Sequence, residues 1–164
     1  MAAVSEETSK KVYTQAGVAL HWAQCFEAST TNFLVFHARL TGQAITLESS
    51  DALEANFETS TMGQLVQKLK QFATFEGDTE IILKEALAQR NHLAHSFFKT
   101  HAETFVSEEG AQKMLEELKK STMLFRKADL VAHTLSIAVA KAFGISEEQM
   151  QKEYEAIIAN AEKG

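Results

Sequence analysis

KKVYTQAGVALHWAQCFEASTTNFLVFHARLT, residues 10–41, is the stretch on which the fold turns. Val12, Ala16, Ala19, Ala23, Phe26, Phe33, His37 and Leu40 recur at intervals of three, four and seven, the spacing of one face of a helix. A second apolar stripe runs beside the first through Val18, Trp22, Cys25 and Phe36. So wide an apolar face predicts a helix that is central in a bundle or shared with a partner chain. Gly42 follows and suits a helix stop, because glycine accepts the left-handed backbone that closes the last turn.

The rest of the chain agrees with this beginning. No proline occurs in 164 residues, where average usage near 5% would give about eight. Proline is the main breaker of helix interiors, so its absence favours long helices over a loop-rich sandwich or a Pro-rich linker. Thr61 and Gln64 form a capping-box pattern ahead of Leu65, Val66, Leu69 and Phe72. Glu76-Gly77-Asp78 is a break, followed by a helix over 79–98 and a polar loop over 99–106. Ser107 opens a second long helix that runs to Phe143 through Met114, Leu118, Phe125, Ala132, Leu135 and Val139, with Gly144 closing it. Ser146 and Gln149 form another capping box, opening a final helix with Met150, Tyr154, Ile157 and Ile158. Residues 43–60 are less regular, with a short helix possible from Asp51 to Phe57. The pattern predicts a single all-α domain over 1–164: an up-and-down antiparallel bundle of four main helices plus one or two short ones.

Bulk chemistry narrows the setting. A formal net charge of -6 argues against a broad basic surface of the kind that coats nucleic acid. The lone Cys25 cannot pair within the chain, which fits a reducing compartment. MAAVSEETSKK carries acids and no apolar centre, unlike a secretory signal, and no apolar run reaches a membrane span. A cytoplasmic protein without membrane association is expected.

The most informative residues for function lie in Ala86-Leu87-Ala88-Gln89-Arg90-Asn91-His92-Leu93-Ala94-His95-Ser96-Phe97-Phe98. On a helical projection Ile82, Leu83, Ala86, Leu87, Leu93, Ala94 and Phe97 fill one arc of about 140°. Arg90 falls in the middle of that arc. A guanidinium there must be paired or must open into a cleft. The structural alternative is a buried staple to a carboxylate, with Asp129 or Glu27 as partner. In the functional alternative Arg90 and His95, about 140° apart in projection, border one groove beside the helix, with Asn91 next to them. Histidine can move a proton near neutral pH, arginine can bind and stabilise a phosphate, and asparagine can orient either group. This trio suits attack of an RNA 2′-hydroxyl on the adjacent phosphate without a metal.

Arg90-Asn91-His92-Leu93-Ala94-His95-Ser96-Phe97-Phe98 resembles the R-x4-6-H motif of HEPN domains in its R-N-x-x-x-H form. The helix layout over roughly 60–145 is similar as well. The resemblance implies an all-α bundle that dimerises and sets two motifs at a shared cleft, and a metal-independent endoribonuclease that needs no cofactor, as in toxins and defence effectors. It assigns catalysis to Arg90 and His95, with Asn91 as the polar residue beside the arginine. Its implied partners are RNA, a second copy of the chain and a cognate antitoxin or other protein. One toxin subgroup carries R-x4-H-x-Y; this chain has Phe97 at the tyrosine position. Many HEPN domains are inactive dimerisation or nucleotide-binding modules, which is the alternative reading.

Other constellations compete for attention. His92 and His95, with His101 and Glu103 nearby, offer a loose zinc-ligand spacing; an exposed His92, or His92 as a second base, is the simpler reading. His37 on the first apolar face reads as a hydrogen-bonded core histidine, or else as part of the same cleft. Cys25 reads as a packing residue without a basic neighbour. Lysines 68, 70, 84, 99, 113, 119, 120 and 127 read as solvated surface unless they converge beside Arg90.

Overall fold

The computed structural model describes residues 2–43, 46–72, 75 and 77–161, with the side chains of 47, 58, 153, 154, 157, 158, 160 and 161 excepted. Among these residues the protein is all-α. Its helices are α1 (Glu6–Leu40), α2 (Leu47–Glu58), α3 (Met62–Phe72), α4 (Asp78–His95), α5 (Phe97–Thr100), α6 (Glu108–Ala142) and α7 (Glu147–Ala161). The only strand-like contact among the described residues is an isolated bridge between Ala3 and Ser107.

Capping chemistry sets the helix ends. Ser5 and Ser107 accept the backbone N–H groups of Thr8 and Gly110, both at 3.1 Å. Thr61 exchanges hydrogen bonds with Gln64, and Ser146 with Gln149, as their capping boxes predict. Gly42 and Gly144 adopt φ of +78° and +80°. At each, the next residue's N–H reaches back to the helix: Gln43 to the Ala38 carbonyl at 2.8 Å, Ile145 to that of Ala140 at 3.0 Å. This is the Schellman closure, and it satisfies carbonyls that a helix end otherwise leaves unpaired.

Two helix boundaries and the burial of one residue differ from expectation. The helix expected over 79–98 breaks at Ser96, whose φ of -134° leaves the helical region, and α5 runs from the end of that stretch into the first two residues of the expected loop. α2 begins earlier than Asp51 because Thr46 and Ser49 form a reciprocal capping box. Ala94, expected in the apolar arc of α4, is exposed. Glu76 in the expected break, and the side chains of Tyr154, Ile157 and Ile158, lie outside the described residues.

The two longest helices run in the same direction. Contacts pair Thr8 with Glu108, Gln15 with Thr122 and Ser29 with Asp129, so sequence number rises together along both. The up-and-down order therefore fails for this pair. It holds for α4 against α6, where Gln89 meets Ser121 and His92 meets Glu117. The physical reason is the intervening chain: α2 to α5 supply the return path that a parallel pair requires. α1 buries Val12, Ala16, Ala19, Ala23, Phe26 and Phe33; α6 buries Ala111, Met114, Leu118, Phe125 and Ala128. Small side chains let the two axes approach, and each fully buried phenylalanine contributes about 1.5–3 kcal/mol. Leu65 and Leu69 of α3, Leu83 and Ala86 of α4, and Phe97 complete the same core.

The parallel start is fastened by polar contacts. The Val4 N–H donates to the Val106 carbonyl and the Glu108 N–H to that of Ala2, both at 3.1 Å. Glu108 accepts from the Thr8 hydroxyl at 2.6 Å and from the Ser5 N–H at 3.1 Å. These donors, the Thr8 hydroxyl first, hold its carboxyl below the usual range. Gly110 is dictated by close approach: a Cβ there would stand 1.9 Å from the Thr104 carbonyl oxygen.

Gly110→Ala is expected to lose about 1–3 kcal/mol in urea denaturation by overpacking against backbone. Gly17→Ala, in the exposed middle of α1 with open space around it, is expected to gain about 0.5–1 kcal/mol. Glu108 is lowered in the folded state, so its contribution is present above the ordinary carboxylate range and lost as pH falls through the lowered value. Melting temperature measured from pH 7 to pH 3 is expected to fall less steeply in Glu108→Gln than in the parent.

Candidate functional site

α4 brings Arg90, Asn91 and His95 to one end of the bundle because leucine and alanine on its inner face seat it against α1 and α6. Leu83 and Ala86 are fully buried, and the helix becomes progressively more open toward Ala94 and His95. His92 and His95 occupy the last turn of α4.

Arg90 is half-buried. Its Nη2 donates to Glu27 Oε2 of α1 at 3.3 Å, and its Nη1 reaches Asn91 Oδ1 at 3.4 Å. The side chains of Arg90 and Glu27 retain 27% and 31% of their exposure. The contact is single-pronged and open to water, not a buried bidentate staple. Of the two carboxylates considered from sequence, Glu27 is the partner. Asp129 instead accepts a hydrogen bond from Ser29 Oγ at 2.5 Å. Asn91 is exposed and touches the arginine, not an imidazole. His95 is exposed, with no hydrogen-bond or ion-pair partner among the described residues.

A hollow of about 760 Å³ lies between the C-terminal halves of α1 and α6 and the start of α7. Phe36, His133, Ile137, Ile145 and Met150 line it. A smaller hollow of about 290 Å³ lies against Glu27 with Gln24, Thr31, Asn32, Glu54 and Phe57. Neither Arg90 nor His95 lines either one.

The remaining candidates resolve individually. His92 is not exposed: its Nε2 lies 3.3 Å from Glu117 Oε1, and His101 Nε2 lies 3.0 Å from Oε2 of the same carboxylate. Sequence spacing pointed to His95 and Glu103 as their companions; the fold supplies Glu117 of α6. The signal was available in the antiparallel pairing of α4 with α6, which a single sequence does not give. His37 stacks on Phe72 at 4.1 Å, and its Nδ1 has no hydrogen-bond partner among the described residues, so it is not the hydrogen-bonded core histidine expected. Cys25 does have a basic neighbour, His21 Nε2 at 3.5 Å, readable as an i, i+4 pair. Lys70 pairs with Glu80 and Lys113 with Glu109, while Lys68 sits 4.5 Å over the Phe57 ring. Arg126 similarly covers Trp22.

The Arg90–Glu27 geometry makes a quantitative prediction. An ion pair this exposed is worth at most about 1 kcal/mol, against about 3–5 kcal/mol for breaking a fully buried one. Urea denaturation of Arg90→Ala is expected to show the smaller loss; a loss above 3 kcal/mol would identify a structural staple.

No helix among the described residues is long and apolar enough to cross a membrane. No protein-family model, curated protein or solved structure matches the chain.

Proposed function

We propose that this chain is a HEPN-like, metal-independent endoribonuclease of the cytoplasm that works as a homodimer. The observation that carries the reading is the open state of the pair. Arg90 is held by single contacts to Glu27 and Asn91, and His95, five residues on along α4, is exposed with its imidazole unengaged among the described residues. A guanidinium has five N–H donors, so most remain available to a phosphate. A bidentate arginine–phosphate contact is charge-assisted and stronger than a half-exposed, single-pronged ion pair, so RNA can compete with Glu27 for it.

In this reading His95 takes the proton of the ribose 2′-hydroxyl as that oxygen attacks phosphorus. Arg90 stabilises the negative charge that builds on the phosphoryl oxygens. The P–O5′ bond breaks, the leaving oxygen takes a proton from solvent water, and the products are a 2′,3′-cyclic phosphate and a 5′-hydroxyl. Asn91 steadies the guanidinium through its Oδ1. The dimer of this reading builds its cleft from two copies, each donating one Arg90 and one His95. The net charge of -6 fits a small local site better than a broad nucleic-acid surface.

A second reading is favoured by the Arg90–Glu27 tie itself, which joins α4 to α1: a non-enzymatic dimerisation or nucleotide-binding module in which Arg90 only positions helices.

Incubation of the purified protein with mixed RNA in EDTA separates the two. Cleavage yielding cyclic-phosphate ends is expected from the parent. Arg90→Ala and His95→Ala are expected to lose at least about 100-fold, the lower range for removing a general acid–base group, while keeping the parent's circular dichroism. No cleavage by the parent, or cleavage by Arg90→Ala at the parent's rate, overturns the ribonuclease reading.

A further inference from the structure

Three side chains from three parts of the chain converge without being drawn into the chemistry above. His92 lies in the last turn of α4, His101 caps α5, and Glu117 belongs to α6. One ligand atom from each lies within 4.8 Å of the others. The two imidazoles present the same atom, Nε2, to opposite oxygens of one carboxylate, at 3.3 Å and 3.0 Å. Ligand atoms around a tetrahedral zinc ion, with bonds of about 2.0–2.1 Å, are about 3.3–3.4 Å apart. Each imidazole thus stands about one coordination edge from its own carboxylate oxygen, and a shift within the 4.8 Å spread would bring one oxygen and both Nε2 atoms around an ion.

The site is also braced. The Phe97 ring is buried and packs against both imidazoles, with centroids 5.9 Å from His92 and 4.8 Å from His101. The backbone carbonyl of Glu117 accepts from Ser121 Oγ at 2.8 Å, and that hydroxyl in turn receives Gln89 Nε2 at 2.8 Å. The rotamers of the two histidines and the register of α4 on α6 are thus fixed by contacts outside the trio, which is what a metal site asks of its surroundings. The side chains retain 30%, 19% and 36% of their exposure, so an ion can reach them from solvent.

We infer that His92, His101 and Glu117 bind a divalent first-row transition metal, with zinc as the best-matched ion. Two imidazoles and a carboxylate are a borderline donor set suited to such ions and poor for calcium or magnesium. Three protein ligands leave a fourth position for solvent. Coordination needs the Nε2 lone pairs, so each imidazole carries its proton on Nδ1 when metal is bound. The ion ties the end of α4, the turn after α5 and α6 at one point. Phe97, at the position where one toxin subgroup has tyrosine, serves here as the apolar wall between the two ligands. The inference stands on this cluster alone and does not depend on RNA cleavage by Arg90 and His95.

Equilibrium dialysis of the metal-stripped protein against zinc at pH 7.5, with the bound metal counted by mass spectrometry, tests it. One ion per chain is expected, with a raised melting temperature. His92→Ala, His101→Ala and Glu117→Gln are each expected to weaken binding by more than about 100-fold, above the 10–100-fold typical of losing an outer-shell partner. Glu103→Ala and Cys25→Ser are expected to bind as the parent does. Cobalt loading gives a second readout that survives small stability changes: intense visible absorption from a four-coordinate site in the parent, absent in His101→Ala. Failure of the parent to retain zinc overturns the proposal. So does retention unchanged in His101→Ala, or retention lost in Cys25→Ser, which would place the ion at His21 and Cys25.

Discussion

Two helices that start side by side and run the same way cannot be joined by a short turn. α1 and α6 are each 35 residues long, about 52 Å at 1.5 Å per residue, and the chain leaving Leu40 must return that whole distance before Glu108. α2, α3, α4 and α5 are the return. This requirement places α4 antiparallel to α6 and sets its last turn beside the first half of that helix. The positions of Arg90, His92 and His95 follow from it. The start of the pair is held by backbone bonds between residues 2–4 and 106–108, by the Glu108 carboxylate, and by the absence of a side chain at Gly110.

Local signals in the sequence were legible because their physics is local. Ser107, Thr61 and Ser146 cap helices through residues only three positions away, and Gly42 and Gly144 end helices because their own backbone turns left-handed. The apolar faces of α1 and α6 were readable for the same reason. Helix direction was not, since nothing in a stripe of Val12, Ala16 and Ala19 says whether its partner runs up or down. The break at Ser96 was hidden by the apolar pattern continuing through it to Phe97, which is buried on the far side of the kink.

The same divide separates the parts of the site. Arg90 on an apolar face was conspicuous, and its need for a partner or an opening was a matter of electrostatics alone. Which carboxylate met it depended on tertiary register: Asp129 was claimed by Ser29, leaving Glu27. His92 seemed to belong with His95 because both lie on one helix. The fold instead turns it toward Glu117, so that residues three apart in sequence face different neighbours. One short stretch of α4 thus holds an arginine tied to α1, an exposed histidine and a histidine turned to α6.

The parallel pairing also has a consequence for how the chain is made. Contacts between α1 and α6 join residues about 100 positions apart, an unusually non-local arrangement for a helical protein, whose folding speed usually derives from local contacts. During synthesis α1 leaves the ribosome first, and the partner for its face of Val12, Ala23 and Phe26 does not yet exist. At about 5–20 residues per second, roughly 5–20 s pass before the matching part of α6 emerges. For that interval the widest apolar surface of the molecule is a nascent helix without a core.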